Sequence, residues 1–143
     1  MRIHPAVVDA IVAHARRDHP NECCGLLLGK EGQVVEAVAV TNVADDPRRR
    51  YELSPVEHIA QIKKCRERSS SGSPAEVVGV YHSHPHTPAE PSPSDLREAW
   101  PNFLYVIAGP VAEGEDVSVR GFVLDGTTFS EAELIVLRVG ADD

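Results

Sequence analysis

From Ile3 to Asp18 the apolar residues Val7, Val8, Ile11, Val12 and Ala15 recur at three- and four-residue spacing, which predicts an amphipathic helix stopped by Pro20 and Asn21. Cys23 to Leu28 is a short, almost wholly apolar run and reads as a buried strand. Gly29 to Gly32 reads as a hairpin turn into a second strand, Val34 to Thr41, where β-branched residues are dense. The polar, arginine-bearing stretch Asp45 to Arg50 is a loop. Ser54 and Pro55 pair a capping serine with a proline at the first helical position, and Glu57 follows the cap by three residues. A second helix is therefore predicted from Pro55 to about Arg68, with Ile59, Ile62 and Cys65 as its apolar face.

The serine-rich patch Ser69 to Pro74 interrupts this pattern without separating two cores. Beyond it, Glu76 to His84 reads as a strand and a short helix is expected to start near Ser92 to Asp95. Phe103 to Ala108, Val117 to Leu124 and Thr128 to Val139 supply two or three more strands joined by glycine turns. No repeat recurs at a fixed period. Helices mixed with strands around one sheet give an α+β class, three-layer α/β/α, with a mixed central sheet flanked by helices. A chain of 143 residues, 42% hydrophobic and 25% charged, is expected to form one domain over residues 1–143.

Charge narrows the partners. Fourteen Lys and Arg against 22 Asp and Glu leave a net charge of −8, a surface that repels phosphate backbones unless its cations are gathered. They gather at Arg48, Arg49 and Arg50, far short of the roughly six to ten phosphate contacts of strong binding, so nucleic acid is not expected and the run reads as a local docking feature. Three cysteines, two of them the neighbours Cys23 and Cys24, propose no disulfide framework and fit a reducing compartment. These thiols read as packed side chains, because no oriented histidine partner can be named for them. No stretch approaches the ~18–20 apolar residues of a membrane span, and the N-terminus has no signal-peptide core, so a cytoplasmic protein without a membrane partner is expected. His4, His14, His19 and His58 fall on helix patterns and are expected to be solvated.

The chemistry is concentrated between Tyr81 and Leu96. Side chains two apart on a strand share a face, about 6.5–7 Å from each other, so His82 and His84 point one way and Ser83 the other. Two imidazoles on one face can meet one zinc ion through bonds of about 2.0–2.1 Å. Pro85 ends the strand, and a proline-rich loop delivers Asp95, whose carboxylate would make a third ligand. Two histidines and an aspartate leave a fourth tetrahedral position open, as in catalytic zinc sites, where bound water has a pKa of about 7. Glu22, at the mouth of the first apolar strand, is the best-placed candidate to move the water's proton to a leaving amine. Ser92 could donate a hydrogen bond to the oxyanion, and is also a good helix cap. His86 is either a fourth ligand or a loop residue.

Glu22, then His82-Ser83-His84-Pro85, then Ser92-Pro93-Ser94-Asp95 resemble the full signature of the JAMM (MPN+) zinc metalloproteases, and the order of elements extends the resemblance over nearly the whole chain. The resemblance implies a cytidine-deaminase-like fold and one zinc per chain. It also implies hydrolysis of isopeptide or peptide bonds that follow a ubiquitin-like C-terminus. Residue by residue it implies His82, His84 and Asp95 as ligands, Glu22 as general acid–base and Ser92 as the oxyanion-side donor. The stretch Ala13 to Gly25 resembles the bacterial branch that acts on small sulfur carriers, ubiquitin-like β-grasp proteins with a Gly-Gly tail, removing an amino acid such as cysteine or an adduct. Only Val43 to Leu53 and Arg97 to Asn102 stand where eukaryotic deubiquitinases carry long insertions, which argues against polyubiquitin linkage selectivity.

Rival readings are a broader peptidase of cell-wall or phage-tail type, a non-catalytic scaffold domain of the same fold, a DNA-repair-associated branch and a zinc nucleobase deaminase. The scaffold would be expected to have lost a ligand or the glutamate, and none is lost. The repair branch meets an acidic surface, and the Pro-Cys-x-x-Cys of the deaminases is absent. The oligomeric state is left open, a homodimer included.

Overall fold

A computed structural model of the chain describes residues 1–70, 75–112 and 116–137. In chain order the elements are β1 (Arg2–Ile3), α1 (Pro5–Asp18), β2 (Cys24–Lys30), β3 (Gln33–Val40), α2 (Pro55–Ser70) and β4 (Glu76–Ser83). They continue with α3 (Pro93–Glu98), β5 (Leu104–Gly109), β6 (Ser118–Asp125), β7 (Thr128–Ala132) and β8 (Ile135–Val136). The eight strands form one sheet in the order β7-β6-β5-β4-β2-β3-β1-β8. It is mixed: β4 and β5 run parallel, as do β1 with β3 and β1 with β8, while the other neighbours are antiparallel.

The strands β7 and β8 lie at opposite ends of that order, yet only Glu133 and Leu134 separate them in the chain. Three Cα steps span at most about 11 Å, so the sheet curls until its edges nearly meet. What it curls around is α1. Val7, Ile11 and Ala15 of that helix are buried against Leu27, Val34, Tyr81, Val106 and Ala108, with Ala132 and Leu134 packed on the rim. The opposite face buries Leu26, Val40, Val80 and Tyr105, and α2 packs there along β4. The alternation of Leu26 with Leu27 and of Val80 with Tyr81 is thus split between two cores, as a sheet covered on both faces requires. The expected α+β class and its three layers are what the chain adopts.

Several boundaries differ from expectation. The first helix starts at Pro5, because Arg2 and Ile3 pair in parallel with Gln33 and Val34. The hairpin turn is tighter than Gly29 to Gly32. Strand β2 continues to Lys30, and Glu31 and Gly32 both take positive φ (54° and 76°), the two-residue loop whose twist matches the strands. The segment Thr128 to Val139 is two strands rather than one; Arg138 and Val139 lie outside the described residues, as does the part of the serine patch at 71–74.

The apolar face of α2 is rotated from the expected one. Cys65 is buried and Ile62 half-buried, but Ile59 is 53% exposed, and His58 takes its place in the inward stripe of 58, 62 and 65. That spacing of four and three is as helical as the expected one, so periodicity alone does not choose between them. His14 is likewise not solvated. It is buried, its Nδ1 is 2.7 Å from the Tyr81 hydroxyl and its Nε2 3.1 Å from Asp18, and burial lowers its pKa. Among the described residues no helix is long and apolar enough to cross a membrane.

Gly79 seats the middle of the sheet. It is paired with Leu104 across the β4–β5 boundary, and a Cβ there would run into the Leu104 carbonyl. Backbone of a central strand cannot step aside as a flexible side chain can. Gly79→Ala is expected to destabilise the fold by about 1–3 kcal/mol. Urea denaturation reads this as a lower midpoint, and an unchanged midpoint would show that the strands have slack.

Candidate metal centre and active site

The pairing of β2 with β4 positions the site. Cys24 stands opposite His82, and the antiparallel register carried two steps further brings Glu22 opposite His84. Two bonds hold this extension past the end of the strand: Ser83 N–H donates to the Cys23 carbonyl at 3.1 Å, and Cys23 N–H donates to Ser83 Oγ at 2.8 Å. Ser83 therefore faces away from the histidines, as strand alternation predicts. His84 is fixed in turn, its N–H donating to the Ala108 carbonyl at 2.8 Å.

Asp95 arrives on α3. Ser92 caps that helix, its Oγ accepting from Asp95 N–H at 3.1 Å while its own N–H donates to Asp95 Oδ2 at 2.8 Å, a reciprocal capping box. The cap thereby orients the oxygen that meets the histidines. Asp95 Oδ2 lies 3.2 Å from His82 Nε2 and 3.2 Å from His84 Nε2, and the two Nε2 atoms are 3.2 Å apart. All three side chains are buried.

That triangle fits a zinc ion. Two donors on one tetrahedral zinc at about 2.0–2.1 Å stand roughly 3.3 Å from each other, close to the separations found here. Two imidazoles and a carboxylate are a common zinc donor set, and among the described residues these three form the group able to hold an ion. Nδ1–H of His84 donates to the Pro88 carbonyl at 2.7 Å, which leaves the Nε2 lone pair facing inward. The ring of Tyr51 stacks on that of His82 with centroids 4.3 Å apart. His86 is outside the group. It is exposed, and its ring lies edge-on to His19 with centroids 5.5 Å apart.

Electrostatics agree with this donor set. Burial opposes ionisation of Asp95, but bonds and charge from His82 and His84, with the Ser92 N–H, hold its carboxyl well below the usual carboxylate range. Burial lowers the pKa of His82. Burial also works against charge on His84, where Asp95, the Pro88 carbonyl and Glu22 prevail and raise it. Glu22 is 5% exposed, and burial pushes its carboxyl up to about 8, with His84 pulling it down and Asp95 adding to the rise. Its Oε1 has no hydrogen-bond partner among the described residues.

A cleft of about 410 Å³ opens beside Asp95, between the loop that follows β3 and the segment that follows α3. Tyr51, Trp100 and Phe103 give it aromatic walls, and Arg50 and Arg97 bring positive charge. Tyr51 was not marked by any local pattern, since a lone tyrosine after three arginines carries no periodicity. Only the return of that loop over β4 brings it onto His82. The run Arg48 to Arg50 stays in an exposed loop, with Arg49 and Arg50 each 3.7 Å from an aspartate of the same loop, Asp46 and Asp45.

Known proteins share this architecture. Residues 4–121 match the family described as prokaryotic homologs of the JAB domain. The chain is 40% identical over 109 residues to a desampylase from Haloferax volcanii, covering 71% of this chain and 75% of that protein. It is 39% identical over 108 residues to the CysO-cysteine peptidase of Mycobacterium tuberculosis, covering 73% and 70% respectively. A solution structure of a protein from Desulfitobacterium hafniense superposes with a TM-score of 0.83 at 30% identity, over 97% of this chain and 94% of the other. With its histidine pair, aspartate and buried glutamate in one site, the chain belongs to the prokaryotic JAB family of JAMM/MPN metalloprotease domains.

Proposed function

We propose that this chain is a zinc metallopeptidase that hydrolyses the peptide or isopeptide bond following the C-terminal Gly-Gly of a small ubiquitin-like sulfur carrier, releasing an amino acid such as cysteine or an adduct. The observation that carries the reading is the convergence of His82, His84 and Asp95 at 3.2 Å beside the buried Glu22. The relatives named for desampylation and for CysO-cysteine cleavage support the choice of substrate class.

His82, His84 and Asp95 would hold the zinc ion, which when bound would supply Lewis acidity to the scissile carbonyl and to the attacking water. Glu22 takes the proton from the attacking water and returns it to the leaving amine. In the metal-free chain burial raises its carboxyl to about 8, and the positive charge of a bound zinc would lower it toward the ionised form that accepts a proton. Ser92 donates to the carbonyl oxygen as it gains charge. Its helix cap uses only acceptor capacity on Oγ, so the hydroxyl proton stays available for that bond.

The cleft beside Asp95 takes the carrier's tail in extended form. Gly-Gly is slim enough to lie between aromatic walls with its backbone exposed to pairing, as an added strand does. Arg48 to Arg50 offer an acidic carrier a docking contact. The reaction belongs in the cytoplasm, in keeping with Cys23, Cys24 and Cys65 being buried thiols rather than disulfides.

The test is a β-grasp carrier extended by one amino acid beyond Gly-Gly, followed by mass spectrometry. Trimming to the free Gly-Gly end, stopped by a chelator, is the expected result. Replacing the penultimate glycine of the carrier by a bulky residue is expected to abolish cleavage. Equal trimming of both carriers would sink the narrow-groove argument and make a broad peptidase the better account.

A further inference from the structure

Both backbone polar groups of Glu22 are tied to the loop that follows β3. Its N–H donates to the Pro47 carbonyl at 2.7 Å, and its carbonyl accepts from Asn42 Nδ2 at 3.0 Å. Asn42 Nδ2 also donates to the Arg50 carbonyl at 3.0 Å. On the other side of the same amide, Oδ1 accepts from the N–H groups of Ala44 and Glu52, each at 3.0 Å. A side-chain amide has two donors and two acceptor lone pairs, and Asn42 uses all four. A bridge between Asn42 and Leu53, with Val43 N–H donating to the Glu52 carbonyl at 2.9 Å, closes the base of the loop. Glu22 is thus joined to the loop bearing Arg48 to Arg50 and Tyr51 directly at Pro47 and through the side chain of Asn42, which bonds to Glu22 and to both strands of the loop's base.

We propose that Asn42 is a positioning residue for Glu22, holding the acid–base carboxyl in line with the loop that seats the carrier. The inference rests on the reading of Glu22 as the proton carrier. Oε1 of Glu22 has no hydrogen-bond partner among the described residues, whereas the backbone N–H and carbonyl of Glu22 are both held by the loop. Proton transfer requires heavy atoms about 2.6–3.2 Å apart, and a misplacement of about 1 Å can cost about 10²-fold in rate. No smaller or charged side chain replaces the amide. Aspartate would aim an acceptor at the Glu22 and Arg50 carbonyls, and serine has too few groups to reach four partners.

The test is Asn42→Asp in the zinc-loaded enzyme, assayed on the extended carrier. The variant keeps the shape and the bonds accepted from Ala44 and Glu52, and loses both donated ones. Zinc content is expected to hold, while kcat falls about 10–100-fold and KM moves less than about threefold. In a Glu22→Gln background the same substitution is expected to cost less than about twofold more, because no proton carrier is left to misplace. Full additivity in that cycle would overturn the inference, as would a raised KM at unchanged kcat. Should Asn42→Asp fail to fold, Asn42→Ser is read by the same two criteria. Undiminished activity of Glu22→Gln alone overturns instead the reading of Glu22, so the two failures are told apart.

Discussion

Glu22→Gln is expected to keep its zinc and to lose about 10²–10⁴-fold in cleavage rate, the usual size of a general acid–base contribution. Gln preserves the shape of the side chain and removes only its ability to take up a proton. Metal analysis and kinetics on the extended carrier together decide the case. Loss of zinc along with activity would make Glu22 a ligand or a structural residue.

The same substitution carries a stability signature in the metal-free protein. Burial raises Glu22 from 4.5 to about 8, so the folded chain retains a proton that the unfolded chain has already released. Stability therefore falls as pH rises from about 4.5 to about 8, since the unfolded state binds fewer protons over that window. Glu22→Gln removes this loss. Its advantage over the parent chain in denaturant midpoint is expected to be small at pH 5 and to widen toward pH 8. A constant difference would mean that the carboxyl is better solvated than its 5% exposure implies.

Removing a ligand is the second large effect. His82→Ala and Asp95→Ala are each expected to reduce zinc from one per chain to a small fraction and to abolish cleavage, while His86→Ala leaves both nearly unchanged. The three donors share one 3.2 Å triangle, and His86 stands outside it against His19. Asp95→Ala carries an added cost, because half of the capping box of α3 goes with the ligand. The Ser92 N–H loses its acceptor while Ser92 Oγ keeps its bond to the backbone N–H of position 95, so the variant is expected to separate from His82→Ala in thermal stability as well as in metal. Zinc retained by both variants would remove these residues from the metal site.

The short-range chemistry of this chain was legible in its residues. His82 and His84 share a face because a strand alternates, and Ser83 is turned to Cys23 for the same reason. Ser92 and Asp95 stand where a helix cap and its third residue must stand, and the cap aims Asp95 Oδ2 as it closes. The helix over Val7, Ile11 and Ala15 and the proline start of α2 follow from local periodicity and capping, which depend on residues three or four apart.

The rest depended on contacts between residues far apart in the chain. Periodicity did not choose His58 over Ile59 for the buried stripe of α2, because that depends on what α2 meets along β4 and near Trp100. Nor did it show that His14 is buried, since its partner Tyr81 lies 67 positions away. The break between β7 and β8 comes from the curl of an eight-stranded sheet whose edges approach each other around α1, a closure that no single segment encodes.

Residue types and spacing in this chain therefore marked the groups that the fold brings together: two histidines on one strand face, an aspartate at a helix cap, and a glutamate ahead of an apolar strand. Their meeting is a matter of strand register and loop return. Glu22 reaches His84 only because Cys24 pairs with His82, and Tyr51 reaches His82 only because the loop closed by Asn42 and Leu53 folds back over the sheet. Capping and alternation act over a few residues and leave their mark in local spacing. Register and burial are collective, chosen by the packing of two cores at once, and become visible only when the strands are side by side.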